Sequence, residues 1–225
     1  VLDLTAEQFW QILRDDVRPA AMVEGLSFSF GKGRGGNIQR LREWTANSAV
    51  ALHIVEPVTA VLTNLSVVPV SSSTIRWLLG HGRMRDAAIC LGRPYLLEGT
   101  VVEGQGRGRT LGVPTANLQH ADQLAPADGV YAARCAVAGK SYAVALSIGT
   151  NPTFADGRRQ VEAHLIGFDG NLYGAILGIE LVDWLRDQRK FPDVEALKRQ
   201  IARDLNAVIV SASRQPQREI ALAQI

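Results

Sequence analysis

The spacing of apolar residues changes near residue 92, and this change restricts the possible folds more than any other feature of the chain. Beyond Arg93, apolar residues alternate with polar ones over short runs separated by Gly, Asp and Asn, the pattern of strands with one buried face. The predicted strands are 95–102, 129–137, 141–148, 161–168 and 172–182. Gly139-Lys140 and Asp169-Gly170-Asn171 are typical hairpin turns. Five or six sequential antiparallel strands without helical crossovers favour a small closed barrel, which has no exposed edge.

A final helix is predicted after these strands. Pro192-Asp193 suits a helix start, and the residues that follow place one apolar stripe at helical spacing: Leu197, Ile201, Leu205 and Val208. We expect this stripe to pack against the barrel. Residues 213–225 are expected to form a loose tail.

The first 92 residues have a different organisation. Thr5 and Gln8 predict a capping box, and the runs 20–25 and 50–55 predict buried strands. A glycine-rich turn and a helix capped by Asn37 lie between those strands, an order that favours a parallel sheet covered by helices. Two further helices are predicted before Gly92. We therefore predict an α/β domain over 1–92 and a barrel domain over 93–212.

A glycine-rich segment at 99–117 ends in a Pro-Thr-Ala-Asn corner and has the chemistry of a site for phosphate and metal. Thr115 and Asn117 alternate, so in an extended chain their side-chain oxygens face the same way, an arrangement that suits Mg²⁺ held on ATP. The glycines upstream allow backbone N–H groups to surround anionic oxygens without steric hindrance.

Glu162 lies on a predicted strand whose other face is apolar. A carboxylate in such a position could deprotonate an alcohol nucleophile, although a solvent-facing glutamate is the alternative interpretation. His164 shares that face, and we expect it to have a structural hydrogen-bonding role.

Two other motifs have alternative interpretations. Residues 31–36 match G-x-G-x-x-G, a dinucleotide-binding pattern, but two basic residues within the loop would crowd a pyrophosphate, and a surface loop is the alternative. Ser71, Ser72 and Ser73, followed by Arg76, place hydroxyls and a cation at a helix start, where they could bind phosphate or simply cap the helix.

Composition narrows the function classes. Lys and Arg number 24 against 22 Asp and Glu, so the net charge of +2 does not favour nucleic-acid binding. Cys90 and Cys135 lie in apolar surroundings without metal-binding spacing, and we expect buried free thiols in a reducing compartment. The sequence shows neither a membrane span nor a signal peptide, which predicts a cytoplasmic protein.

Several motifs, taken in order, resemble the bacterial bifunctional riboflavin kinase/FAD synthetase family. The kinase module is matched by GRTLGVPTAN at 108–117, GVY at 129–131, SIGTNPT at 147–153, VEAHL at 161–165 and NLYG at 171–174. Leu185-Arg186 through Lys190-Phe191 continue the resemblance, which covers about residues 93–208. It implies a six-stranded antiparallel barrel that transfers the γ-phosphoryl group of ATP to riboflavin, giving FMN.

The resemblance also implies roles for individual residues. Thr115 and Asn117 would hold Mg·ATP, and Glu162 would be the general base. Arg186 would lie near the flavin. The phosphate flap would contain Gly104, Gly106, Gly108 and Gly112.

The first 92 residues are similar to the back half of the family's FMN adenylyltransferase module, a Rossmann-like nucleotidyltransferase, with Ser71–Ser73 and Arg76 as its phosphate motif. Thr74 stands where the family usually has arginine, and the H-x-G-H-type motif of the front half is absent from the sequence. We therefore expect kinase activity without FAD synthesis. A non-catalytic flavin- or nucleotide-binding barrel and an NAD-dependent oxidoreductase that uses Gly31–Gly36 are the alternatives.

Overall fold

The computed structural model describes residues 3–104, 106–120, 123–150 and 159–213. It divides into two compact units between Val58 and Thr59. The predicted tail, apart from Ser213, lies outside the described residues, as do residues 151–153 of the SIGTNPT motif.

The first unit has the predicted α/β order. Helix α1 (Ala6–Ile12) begins at the capping box of Thr5 and Gln8 and continues into the π-helical turn Leu13–Val17. Strands β1 (Ala21–Gly25) and β4 (Ala51–Val55) pair in parallel, and helix α2 (Ile38–Thr45), capped by Asn37, lies between them in the chain. Aromatic rings fill much of the core of this unit: Phe9, Trp10, Phe28, Phe30 and Trp44.

The G-x-G-x-x-G segment closes a hairpin in this unit. Strands β2 (Ser29–Phe30) and β3 (Gly36–Asn37) pair antiparallel across the 3₁₀ turn Lys32–Arg34. A Cβ on Gly36 would lie 2.4 Å from the Phe30 ring, so this glycine is needed for the ring to pack on the backbone. A dinucleotide fingerprint instead joins a strand of a parallel sheet directly to its crossover helix, so the hairpin disfavours the NAD alternative.

The second unit begins with two hairpin strands, β5 (Thr59–Val61) and β6 (Val67–Pro69), which the sequence did not reveal. Helices α3 (Ser72–Gly80) and α4 (Met84–Leu91) follow, and Ser71 caps α3 by accepting from the Thr74 N–H at 3.1 Å. Buried residues of these helices share one apolar core with the strands that come next. Packing therefore groups residues 59–92 with the barrel, whereas the domain boundary near residue 92 remains a prediction from the sequence.

Six antiparallel strands form the predicted closed barrel, and their order around it is β10-β11-β8-β7-β12-β9. They are β7 (Tyr95–Val102), β8 (Ala116–His120), β9 (Gly129–Val137), β10 (Lys140–Gly149), β11 (Gln160–Leu165) and β12 (Ile176–Arg186). A single helical turn, α5 (Arg107–Thr110), lies between β7 and β8. The last strand begins later than the predicted 172–182, because Asn171 forms a turn with the Tyr173 N–H and Gly174 has a positive φ of 78°.

The final helix, α6 (Val194–Ala212), packs on the outside of β9 and β10. Asp193 caps it by accepting from the Ala196 N–H at 2.6 Å. Of the predicted apolar stripe, Val208 is fully buried, whereas Leu197, Ile201 and Leu205 are half-buried. No helix in the described part of the chain is both long enough and apolar enough to span a bilayer. Cys90 and Cys135 are buried free thiols, as expected, and burial raises the pKa of both.

Candidate active site

Three polar side chains lie in one row across neighbouring strands of the barrel. Asn117 of β8 is directly opposite Glu162 of β11, and Glu162 is directly opposite Ser147 of β10. The residues before and after Glu162, Val161 and Ala163, are buried in the barrel core, so alternation places Glu162 on the outer face. Directly opposite residues in antiparallel pairs have Cβ atoms about 4.5–5.5 Å apart. The ladder thus brings together a carboxylate, a carboxamide and a hydroxyl.

The Pro-Thr-Ala-Asn corner enters the same site at the start of β8. Thr115 and Asn117 both line a cleft on the outside of the barrel, together with Glu162. His164 fixes the corner to β11, because its Nδ1–H donates to the Pro114 carbonyl at 2.7 Å. This contact agrees with the structural role expected for His164.

Two glycines of the flap allow the chain to pass close to the corner. A Cβ on Gly104 would lie 1.8 Å from Nδ2 of Asn117, and one on Gly108 would lie 2.4 Å from the Val113 carbonyl oxygen. Any side chain at these positions would displace its neighbours. Gly106 and Gly112 have open space around their Cα atoms, so close packing does not require glycine there. Their φ values of 67° and 78° lie instead in the left-handed region, which glycine adopts without strain.

The opposite wall of the cleft is apolar and comes mainly from α6. Leu197, Ile201 and Leu205 expose part of their side chains to the cleft, and Phe191 joins them from the segment before the helix. These three residues of the predicted apolar stripe are therefore only half-buried because they form a wall of the cleft. Polar groups on one side and an aliphatic-aromatic wall on the other are typical of a small-molecule pocket.

Arg186 lies in the cleft, but most of its guanidinium is already engaged. Its Nε and Nη2 donate to the Asp204 carboxylate at 3.0 and 2.7 Å, and Nη1 donates to the Asp187 carbonyl at 2.9 Å. Gln200 also donates to Asp204, at 2.7 Å. This cluster ties the end of β12 to α6 and so fixes the apolar wall relative to the barrel.

Sequence reasoning missed Ser147, Gln188 and Asp204 as parts of the site. Nε2 of Gln188 donates to Oγ of Ser147 at 3.1 Å, which ties the segment after β12 to β10. Asp204 carried a signal as an acidic residue beside the apolar stripe of a helix, whereas Ser147 and Gln188 lay in segments of the family resemblance without an assigned role. The other two depend on strand register and on the path of the chain after β12, neither of which the sequence pattern defines.

The residues that the sequence predicts as an adenylyltransferase phosphate motif lie on α3 and at its start. Ser71 is the N-cap, Ser72 and Ser73 begin the helix, and all three are exposed, as is Arg76. These residues do not line the cleft that contains Glu162.

Comparison with known proteins identifies the family. The family model described as Flavokinase, riboflavin kinase, matches residues 91–211, which include the six strands, the cleft and nearly all of α6. The chain belongs to the riboflavin kinase family. The matched segment contains Thr115, Asn117 and Glu162.

Relatives of the riboflavin kinase family extend the similarity towards the N-terminus. The chain is 34% identical over 191 residues to the bifunctional riboflavin kinase/FMN adenylyltransferase of Bacillus subtilis, which covers 83% of this chain and 58% of that protein. The enzyme of the same name from Escherichia coli K12 is 34% identical over 203 residues, covering 89% and 63%. The chain thus spans less than two thirds of the length of either relative.

A solved structure from Streptococcus pneumoniae, titled a macrolide-efflux protein, is also similar. It has a TM-score of 0.76 and 29% sequence identity, and the match covers 95% of this chain and 67% of that one. Both units of the present structure therefore have counterparts in that chain.

Proposed function

We propose that this chain is a riboflavin kinase, which transfers the γ-phosphoryl group of ATP to the 5′-hydroxyl of riboflavin and yields FMN and ADP. The observation that carries the proposal is the position of Glu162 directly opposite Asn117, with Thr115 in the same cleft. The match of the kinase family model to this segment supports it.

In this proposal Glu162 is the general base. The riboflavin hydroxyl loses its proton to the carboxylate as its oxygen attacks the γ-phosphorus, and the bond from the γ-phosphorus to the bridging oxygen breaks to release ADP. General base catalysis of this kind contributes about 10²- to 10⁴-fold in rate. Because phosphoryl transfer depends mainly on alignment and charge stabilisation, the surrounding side chains act chiefly by positioning.

The corner suits the magnesium nucleotide. The Thr115 hydroxyl and the Asn117 carboxamide supply neutral oxygens, which Mg²⁺ accepts as ligands alongside phosphate oxygens and water. When bound, Mg²⁺ would neutralise charge on the β- and γ-phosphates. The fit is supported by Gly104 and Gly108, since their missing side chains let the backbone of the flap lie against the corner.

The apolar wall suits the flavin ring. Leu197, Ile201 and Leu205, with Phe191, offer a surface against which a planar heteroaromatic ring can pack. Arg186 lines this part of the cleft, and we propose that it acts on the flavin mainly by holding α6 through Asp204.

Paired glutamate variants test the proposal. Glu162→Gln should lower kcat about 10²- to 10⁴-fold and leave riboflavin affinity, measured by quenching of flavin fluorescence, within a few-fold. Glu98→Gln is the control, because Glu98 is an exposed strand glutamate outside the cleft. FMN formation is followed by chromatography. Full turnover by Glu162→Gln would exclude the assigned role.

For the first unit and α3, we propose a nucleotidyltransferase-like origin, based on the similarity of the chain to bifunctional relatives beyond the kinase segment. The exposed serines at the start of α3 and Arg76 would contact phosphate in that module.

The buried free thiols of Cys90 and Cys135 accord with a cytoplasmic location.

A further inference from the structure

Four cationic side chains surround a shallow concavity beside the cleft. Arg189 and Lys190 come from the segment between β12 and α6, and Arg199 and Arg203 come from one face of α6, four residues apart. The rest of the lining is Phe191, Pro192, Ala196 and Gln200, so it contains four positive charges and no acidic residue.

These cations are not neutralised by neighbouring acids. Among the described residues, no ion pair involves any of the four. The acidic residues of α6 and its cap have other partners: Asp193 caps the helix, Glu195 pairs with Lys198 at 3.0 Å, and Asp204 pairs with Arg186. Since like charges held close together repel, an anion bound among them would relieve an unfavourable arrangement.

The concavity adjoins the cleft. Arg189 and Phe191 line both, and the guanidinium of Arg189 lies 5.1 Å from the centre of the Phe191 ring. A second guanidinium, that of Arg186, lies 5.7 Å from the same ring. The positive charges therefore stand next to a pocket that, in the proposed function, accepts phosphorylated compounds.

We propose that Arg189, Lys190, Arg199 and Arg203 form a binding site for a polyphosphate anion, separate from the corner at Thr115 and Asn117. Arginine donors suit phosphate oxygens, and four cations match the charge of a pyrophosphate group. A free anion is favoured over a lipid headgroup because the cations converge on a concavity and share two residues with the cleft. The site does not depend on kinase activity.

The test is a titration of the full chain with inorganic pyrophosphate at low ionic strength and without Mg²⁺, followed by backbone amide NMR shifts. We expect saturable shifts at 196–203, besides any shifts at 104–112 that report the flap. The double variant R199Q/R203Q should weaken binding at 196–203 by about tenfold, since each exposed charge pair is worth up to about a factor of five. K198Q is the matched control because Lys198 is on the same helix, is paired with Glu195 and does not line the concavity, and it should change the affinity by less than about twofold.

Three outcomes would overturn the proposal. They are shifts confined to 104–112, equal affinities at 196–203 in R199Q/R203Q and the unsubstituted chain, and equal losses in K198Q and the double variant. A parallel sedimentation with phosphatidylglycerol vesicles distinguishes the other source of phosphate: cosedimentation abolished by R199Q/R203Q, without saturable pyrophosphate binding, would assign the cations to a membrane surface and exclude the free-anion site. Because these readouts need no turnover, an inactive enzyme that binds pyrophosphate would contradict the proposed function and leave the anion site standing.

Discussion

Replacing Gly104 with alanine should disable the proposed nucleotide-binding corner at Thr115 and Asn117 without unfolding the protein. The added Cβ would lie 1.8 Å from Nδ2 of Asn117, whereas ordinary van der Waals contact begins near 3.4 Å, so the flap or the carboxamide must move by 3.4 − 1.8 = 1.6 Å. A misplacement of about 1 Å at a reacting centre costs about 10²-fold in rate. We therefore expect kcat/KM for ATP to fall about 100-fold or more, with riboflavin affinity nearly unchanged.

The assay is initial-rate formation of FMN over a range of ATP concentrations, with flavin fluorescence for riboflavin binding and thermal unfolding to check the fold. Gly139→Asn is the matched control, at a glycine in the turn between β9 and β10 that does not line the cleft. Gly139 has a φ of 77° and open space around it, and asparagine tolerates the left-handed conformation. This control should stay within a few-fold of the unsubstituted enzyme. Unchanged kcat/KM in Gly104→Ala, or equal losses in both variants, would refute the argument from close packing.

Two further predictions concern the contact between Arg186 and Asp204 and the two buried thiols. Asp204→Asn should lower the free energy of unfolding, measured by urea denaturation, by about 3 kcal/mol. The side chain of Arg186 is only 20% exposed, and the substitution would leave its positive charge without the carboxylate that pairs with it. A loss below about 1 kcal/mol, typical of an exposed pair such as Lys198–Glu195, would contradict this prediction. Cys90 and Cys135 should react with iodoacetamide at pH 8 far more slowly in the native protein than in urea, because burial raises the pKa of both thiols and so lowers the fraction present as thiolate. The rates are measured by mass spectrometry, and equal rates in the two conditions would count against this prediction.

Much of the fold could be read from local patterns. Strands at 95–102 and 129–137 have their predicted bounds, because turn-forming residues flank both runs: Pro94 and Gly104 around the first, Asp128 and Gly139 around the second. The capping box at Thr5 and the caps at Asn37 and Asp193 also form as expected, since each depends on residues no more than three apart. The hairpin of β5 and β6 was missed because three-residue strands carry too little periodicity to detect.

The sequence by itself also brought Thr115, Asn117 and Glu162 forward as chemically suited residues, and the family resemblance gave them roles. What only the tertiary structure decided is their placement in one cleft, because the register of β8 against β11 sets Asn117 opposite Glu162 across 45 residues of chain (162 − 117 = 45). The same holds for Asp204, which packing on the barrel brings to Arg186. Local spacing fixes which face a side chain takes within its own element, whereas the pairing of distant elements depends on the free energy of the whole packed core.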